Sequence, residues 1–198
     1  DSGVVALAIA PLFAPALLTV GSIEYQYKRR DAAMAMFLTL TTLPPDEPDL
    51  DELIDKAGCF LLDQNDTLNA TRLYRAATEA YPGVCAHWSS LCYCLGKADQ
   101  LDEAIATARK ALSLKENDPC ILNDLGWTLV LAGFHDEART ILERAVVFAP
   151  PDYDLPRNNL RELDTLILKQ AEGSICFDTV ADESMRDARS QAGRQSPG

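Results

Sequence analysis

The stretch Leu122–Pro150, LNDLGWTLVLAGFHDEARTILERAVVFAP, decides the fold. Apolar residues recur at three- and four-residue spacing on both sides of a break at Gly133, which predicts two consecutive α-helices. Gly126 lies inside the first of these helices, where glycine costs about 1 kcal/mol relative to alanine. A glycine at such a place predicts that the backbone of a second helix approaches it closely.

The same pattern occurs twice more, displaced by 34 residues each time. In WSSLCYCLGKADQLDEAIATARKALSLKE, Leu91 and Ala104 stand where Leu125 and Ala138 stand in the first stretch. One further step back reaches IDKAGCFLLDQNDTLNATRLYRAATEAYP, where Gly58 occupies the place of Gly126. A fixed period of this length indicates a repeat architecture in which each unit buries its apolar face against its neighbours. The three units are 51–84, 85–118 and 119–152.

These residues resemble the tetratricopeptide repeat (TPR) family. The first helices carry Ile54, Ala57, Gly58 and Leu61; Trp88, Leu91, Cys92 and Leu95; and Leu122, Leu125, Gly126 and Leu129. The second helices carry Ala70, Tyr74 and Ala77; Ala104, Ala108 and Ala111; and Ala138, Leu142 and Ala145. The middle unit departs from the family pattern at Cys92, Ala108 and Glu116, where glycine, a bulky residue and proline are usual. The resemblance implies an all-α fold, a solenoid of helical hairpins that forms a right-handed superhelix.

Apolar residues also recur at helical spacing after the last unit. Leu160, Leu163, Ile167 and Leu168 recur on one side of the segment 153–172, and polar residues lie on the other. Such a segment is typical of the capping helix that ends a solenoid. The residues 173–198 are small and polar, which predicts a mostly disordered tail.

The N-terminal segment 1–50 has two interpretations. Residues 3–23 contain no charged residue and could cross a bilayer, and Lys28 follows them as a cytoplasmic flank would. Pro11 and Pro15 interrupt this stretch, however, and disfavour one continuous helix. We therefore favour a degenerate helical repeat and keep a membrane segment as the alternative.

The 34-residue period also predicts the register of this degenerate repeat. Counting back from the first clear unit places Tyr27 in the core of its first helix. The abrupt beginning of the chain at Asp1 indicates a fragment of a longer protein.

Charge and cysteine content narrow the choice of partner and compartment. Thirty acidic residues against eighteen basic ones give a net charge of −12. This charge disfavours nucleic acid and anionic membranes, and it permits a basic peptide or protein partner. Six cysteines without metal-site spacing indicate reduced packing residues and a cytoplasmic protein, with membrane anchoring as the alternative.

No set of catalytic residues stands out. The two histidines, His87 and His135, lack the partner four residues away that a zinc site needs, and we interpret both as turn or surface residues. The sequence contains no phosphate-binding loop and no nucleophile elbow. We therefore expect no enzyme activity, no metal and no cofactor.

The resemblance implies binding in a concave groove lined by the first helices. The family's groove positions correspond here to Glu52, Asp55, Leu62, Asp63, Ser89, Tyr93, Lys97, Asn123, Trp127 and Val130. This groove would be acidic at one end, aromatic in the middle and apolar at the other end. We expect a non-catalytic scaffold that binds a peptide or helix with a basic end and an apolar anchor. Tyr93 and Trp127 serve either as interface anchors or as packing residues.

Three other functions stay open on the sequence. The first is a membrane-tethered assembly factor that uses residues 3–23 as its anchor. The second is a regulatory TPR segment of a larger enzyme. The third is self-association through an exposed N-terminal apolar surface.

Overall fold

The computed structural model describes residues 13–171, in which the chain forms nine helices and no strand. The helices are α1 (Ala14–Gln26), α2 (Arg30–Leu40), α3 (Leu50–Asp63), α4 (Thr67–Ala80), α5 (Cys85–Lys97), α6 (Leu101–Leu114), α7 (Pro119–Leu131), α8 (His135–Phe148) and α9 (Leu155–Ala171). The predicted all-α fold is confirmed over this range. The disordered tail predicted for residues 173–198 lies outside the described residues.

Four pairs of consecutive helices are joined by the same kind of tight turn. Between α3 and α4, Asn65 has a φ of 57°, and the Asp66 amide donates a hydrogen bond of 2.9 Å to the Leu61 carbonyl. This is a Schellman cap, in which a left-handed residue ends the helix and a backbone bond spans the turn. The left-handed residues of the other three turns are Lys28, Asp99 and Gly133. The turn predicted at Gly133 is therefore confirmed.

Three of these helix pairs cross where a glycine of the first helix faces a large side chain of the second. The pairs are Gly21 with Phe37, Gly58 with Tyr74, and Gly126 with Leu142. A Cβ added at the three glycines would lie 2.5, 2.2 and 2.6 Å, respectively, from the nearest atom of the facing side chain. Any larger residue would therefore require the facing side chain or its helix to shift. The close approach predicted from Gly126 is confirmed.

The first hairpin has the turn and the crossing of the later ones, but at a longer interval. Gly21 precedes Gly58 by 37 residues, and Lys28 precedes Asn65 by the same number. The connection 41–49 between α2 and α3 is longer than the corresponding connection 81–84 between α4 and α5. The register of the first hairpin is therefore shifted by three residues from the 34-residue period.

This shift makes the register predicted for Tyr27 wrong. Tyr27 follows the last residue of α1 and is 69% exposed. Tyr25 takes the buried position, at 4% exposure, and its hydroxyl donates a hydrogen bond of 2.8 Å to Asp66 Oδ2. The Tyr25 ring also packs edge-to-face on Phe60, with the ring centroids 5.4 Å apart.

The chain divides into two compact units, residues 1–94 and 95–198, with the boundary inside α5. In the first unit α1 packs against α2 and α3, and α2 packs against α3 and α4. Phe60 lies between Tyr25 and Phe37, with edge-on ring contacts to both. Edge-to-face aromatic pairs of this kind stabilise a core beyond their buried area.

In the second unit α7 is the most buried helix and packs against α6, α8 and α9. Helix α9 packs against both helices of the α7/α8 hairpin. Asn159 donates a buried hydrogen bond of 2.8 Å to Asn123 on α7, and Arg139 on α8 contacts Asp164 at 2.5 Å. Leu163 is fully buried on the inner side of α9.

The uncharged N-terminal stretch contributes directly to the first core. Ala14, Leu17 and Val20 on α1 are all buried. No helix within residues 13–171 combines the length and the apolar character needed to cross a membrane. Residues 14–23 would have to leave this core to serve as an anchor, and residues 3–12 lie outside the described part of the chain.

Candidate binding surfaces

The ten predicted groove residues divide between the two units. Glu52, Asp55, Leu62, Asp63, Ser89 and Tyr93 belong to the first unit. Lys97, Asn123, Trp127 and Val130 belong to the second. Lys97 is partly buried at the C-terminal end of α5.

The outward side of α3 is acidic. Glu52 and Asp63 are exposed, and Leu62 is half-buried, because the core side of this helix is taken by Ile54 and its apolar neighbours. Glu52 forms an ion pair of 2.6 Å with Lys56, and both side chains are more than half exposed. An exposed pair of this kind contributes about 0–1 kcal/mol, so Glu52 can exchange it for a partner's cation at little cost.

Asp55 on the same helix has a structural role that its position did not predict. Its Oδ1 accepts hydrogen bonds from the Tyr74 hydroxyl at 2.9 Å and from Ser90 Oγ at 3.4 Å, and its Oδ2 accepts one from Cys59 Sγ at 3.7 Å. The carboxylate thus connects α3 to α4 and α5. The sequence held one sign of this role, the hydroxyl of Tyr74. The corresponding residues of the two later 34-residue repeats, Ala108 and Leu142, carry no hydroxyl.

A second connection holds α5 beside α3. The His87 side chain is 1% exposed, and its Nε2 lies 3.1 Å from Asp51 Oδ1. Burial lowers the pKa of His87, and the nearby Asp51 carboxylate opposes this shift. The interpretation of His87 as a turn or surface residue is wrong, because the ring packs inside the unit beside Tyr81. The same helix presents Ser89 and Tyr93 half-buried.

The predicted groove residues of α7 are placed differently. Asn123, Trp127 and Val130 are each 2% exposed. Asn123 accepts a hydrogen bond from Asn159 of α9, so α9 lies against this side of α7. The Trp127 Nε1 atom has no hydrogen-bond acceptor among the described residues. Partner binding by these three residues stays a prediction, and it would require their exposure.

The sequence did not predict a pocket of about 360 Å³ in the second unit. It lies between α6 and α8, and Phe134 from the turn that joins α7 to α8 is part of its lining. The lining residues are Asp102, Ile105, Ala106, Arg109, Leu129, Phe134 and Glu137. The sequence held one sign of this pocket, the apolar residue Phe134. The residues at the same place in the two earlier 34-residue repeats, Asp66 and Gln100, are polar.

Metal ligands and reactive thiols are the remaining features that bear on chemistry. Within residues 13–171, no three side chains of His, Cys, Asp and Glu come together as candidate metal ligands. Burial raises the pKa of Cys120 to about 11, so its thiol remains protonated at neutral pH.

Several solved structures are similar to this chain. YrrB, a TPR protein with an unusual peptide-binding site, has a TM-score of 0.57 and 18% identity, over 79% of this chain and 78% of its own. MamA has a TM-score of 0.57 and 15% identity, over 89% of this chain and 96% of its own. TTC0263, a thermophilic TPR protein in Thermus thermophilus, has a TM-score of 0.54 and 19% identity, over 92% and 93%.

No protein-family model matches the chain, and no curated protein matches it either. The likeness to the solved structures therefore concerns the fold, and it agrees with the helix order, the repeated turns and the glycine crossings described above. The chain has the tetratricopeptide-repeat fold.

Proposed function

We propose that the chain is a non-catalytic protein-interaction scaffold that binds a peptide or a helical segment on the outward side of α3 and α5 in the first unit. The fold is shared with YrrB, a TPR protein with a peptide-binding site. Fold alone does not assign a function, so the proposal depends on the surface itself.

The observation that carries the proposal is the way in which α3 and α5 are joined. The pairs Asp51–His87 and Asp55–Ser90, at 3.1 and 3.4 Å, hold the two helices side by side. A partner would therefore meet a surface that needs no ordering on binding. Surfaces organised in advance lose less conformational entropy and bind more tightly for the same area.

The residues left accessible indicate the chemistry of the partner. Glu52 and Asp63 are exposed carboxylates on α3, and Tyr93 on α5 is a half-buried aromatic side chain. Carboxylates at the rim select a basic segment and increase its rate of association. An aromatic side chain supplies a rigid apolar contact of the kind found at the centres of interfaces. The partner that fits is a segment with a basic end and an apolar anchor.

The test is a selection of peptides from a random display library on the immobilised chain, followed by affinity measurements on the selected peptides. We expect enrichment of basic peptides with an apolar residue. The double variant Glu52→Gln/Asp63→Asn should weaken their binding about five- to tenfold, because two rim carboxylates are lost.

The control is the variant Glu79→Gln/Glu143→Gln, which removes two exposed carboxylates from the second helices α4 and α8. It should bind the selected peptides like the parent chain. A library that yields no peptide, or peptides that bind both double variants equally, would contradict the proposed site.

A further inference from the structure

The pocket between α6 and α8 lies in the second unit, whereas the surface described above lies in the first, and most of the pocket's lining comes from second helices. We propose that it is a separate binding site, which accepts an arginine side chain of a partner protein. The proposal does not depend on binding at α3 and α5, and it concerns only residues of the second unit.

The floor of the pocket is apolar and firmly packed. Ile105 is 7% exposed and Leu129 is 1% exposed, and the exposed Ala106 adds a further apolar group to the lining. The volume of about 360 Å³ lies at the lower end of the range for small-molecule pockets. It can therefore admit a single long side chain rather than a helix. An aliphatic stem laid on this floor would bury apolar surface at both partners.

The charges at the rim favour a cation. Glu137 already has a partner, because Arg109 Nη2 contacts its Oε1 at 2.7 Å. Asp102 is exposed at the same rim and has no ion-pair or hydrogen-bond partner among the described residues. One negative charge is thus left at the mouth of the pocket, and a positive group entering there would complete a pair with it.

Phe134 makes arginine a better fit than lysine. Its side chain is 53% exposed although it lines the pocket, so about half of its surface is open to a bound group. A guanidinium stacks on an aromatic face, and it can form two parallel hydrogen bonds to one carboxylate. Phe134 and Asp102 together provide these two contacts at one opening. An acidic side chain would instead be repelled by Asp102.

The probe is the dipeptide acetyl-leucyl-arginine amide, titrated into the full chain and followed through backbone amide shifts in NMR spectra. We expect the largest shift changes at the lining residues of the pocket. The matched probe is the citrulline analogue, which has nearly the same shape without the charge. It should bind at least about threefold more weakly.

Two variants test the named contacts. Asp102→Asn and Phe134→Ala should each weaken arginine binding about threefold or more, while both exposed positions leave the fold intact. The control Asp136→Asn removes a neighbouring exposed carboxylate that does not line the pocket, and it should bind like the parent.

Three results would overturn the proposal: shift changes elsewhere than at the lining residues, equal binding of the citrulline analogue, or variants that bind like the parent chain. The Glu52→Gln/Asp63→Asn chain, whose changes lie in the first unit, should bind the dipeptide normally. Loss of binding in that chain alone would assign the dipeptide to the first unit and would also overturn the pocket proposal.

Discussion

The hairpins α3/α4 and α7/α8 share one way of crossing and differ on the outward side of their first helices. In both, a glycine faces a large side chain 16 residues later, Gly58 with Tyr74 and Gly126 with Leu142. Cys59 on α3 and Trp127 on α7 occupy the same position in the 34-residue period. Cys59 is half-buried, however, whereas Trp127 is only 2% exposed. The crossing is thus common to the fold, whereas the surface depends on each unit's own residues and neighbours.

The large residue at the crossing also differs in character. Tyr74 continues from the crossing to a hydrogen bond with Asp55, whereas Leu142 is purely apolar. The crossing therefore needs a small residue opposite a large one. The hydrogen bond from Tyr74 to Asp55 is not part of that requirement, and its contribution to stability can be measured separately.

The largest expected effect concerns the position that Cys59 occupies on α3 and Trp127 occupies on α7. Replacing the buried Trp127 by alanine should lower the free energy of unfolding by about 3–5 kcal/mol, because it leaves a large cavity. Trp127→Phe should cost less, since it keeps most of the ring volume and removes an N–H group without an acceptor. Urea unfolding monitored by circular dichroism measures both. Cys59→Ala is the matched change in the first unit, and we expect it to cost under about 1 kcal/mol. Equal losses for Trp127→Ala and Cys59→Ala would remove the difference between the two hairpins.

The next effect concerns the crossing itself. Gly58→Ala and Gly126→Ala should each cost about 1–3 kcal/mol of unfolding free energy, since the new Cβ would overlap a buried side chain. Gly83→Ala is the control, because a Cβ at that position would meet nothing within 4 Å. Thermal unfolding of the three variants gives the ranking.

A double variant shows whether the cost arises from the facing side chain. Gly126→Ala combined with Leu142→Ala should destabilise the chain by less than the sum of the two single changes, because the smaller residue makes room for the new methyl group. Strict additivity would show that the glycine matters for some other reason.

A smaller effect isolates the polar connection of the first unit. Tyr74→Phe keeps the ring at the crossing and removes the hydroxyl that donates to Asp55 at 2.9 Å. We expect a loss of about 0.5–1.5 kcal/mol, the usual net contribution of one hydrogen bond. The control Tyr27→Phe removes a hydroxyl from a side chain that is 69% exposed. If both variants unfold at the same urea concentration, the Tyr74 hydroxyl adds nothing to stability.

The smallest effect is a pH dependence confined to the first unit. Burial holds the pKa of His87 below its ordinary value of 6.5. The unfolded chain therefore binds the proton first as the pH falls. The stability that depends on neutral His87 should be fully present above about pH 6.5, and the free energy of unfolding should decline below that pH.

Unfolding measured between about pH 7.5 and about pH 5.5 reveals this slope. His87→Gln should flatten it, whereas His135→Asn, which changes the other histidine, should not. A slope that is the same in the His87 variant and the parent chain would assign the pH dependence to other groups.

Much of the fold could be predicted from local pattern. The 34-residue period, the break at Gly133 and the small residues at the crossings depend on contacts between helices that are neighbours in sequence. The register of the first hairpin could not be found in this way. The longer connection 41–49 shifts Gly21 and Phe37 out of the period, and only their contact in space reveals that they form the same crossing.

The sequence by itself determined that helices pair through glycine crossings and repeat, because those requirements act between residues a fixed and short distance apart. Tertiary structure alone decided which surfaces remain open. Trp127 is buried and His87 lies inside its unit, whereas Phe134 lines a pocket. The physical reason is that the exposure of a side chain depends on every helix and turn packed against it. The 34-residue period does not predict which of these elements will pack there.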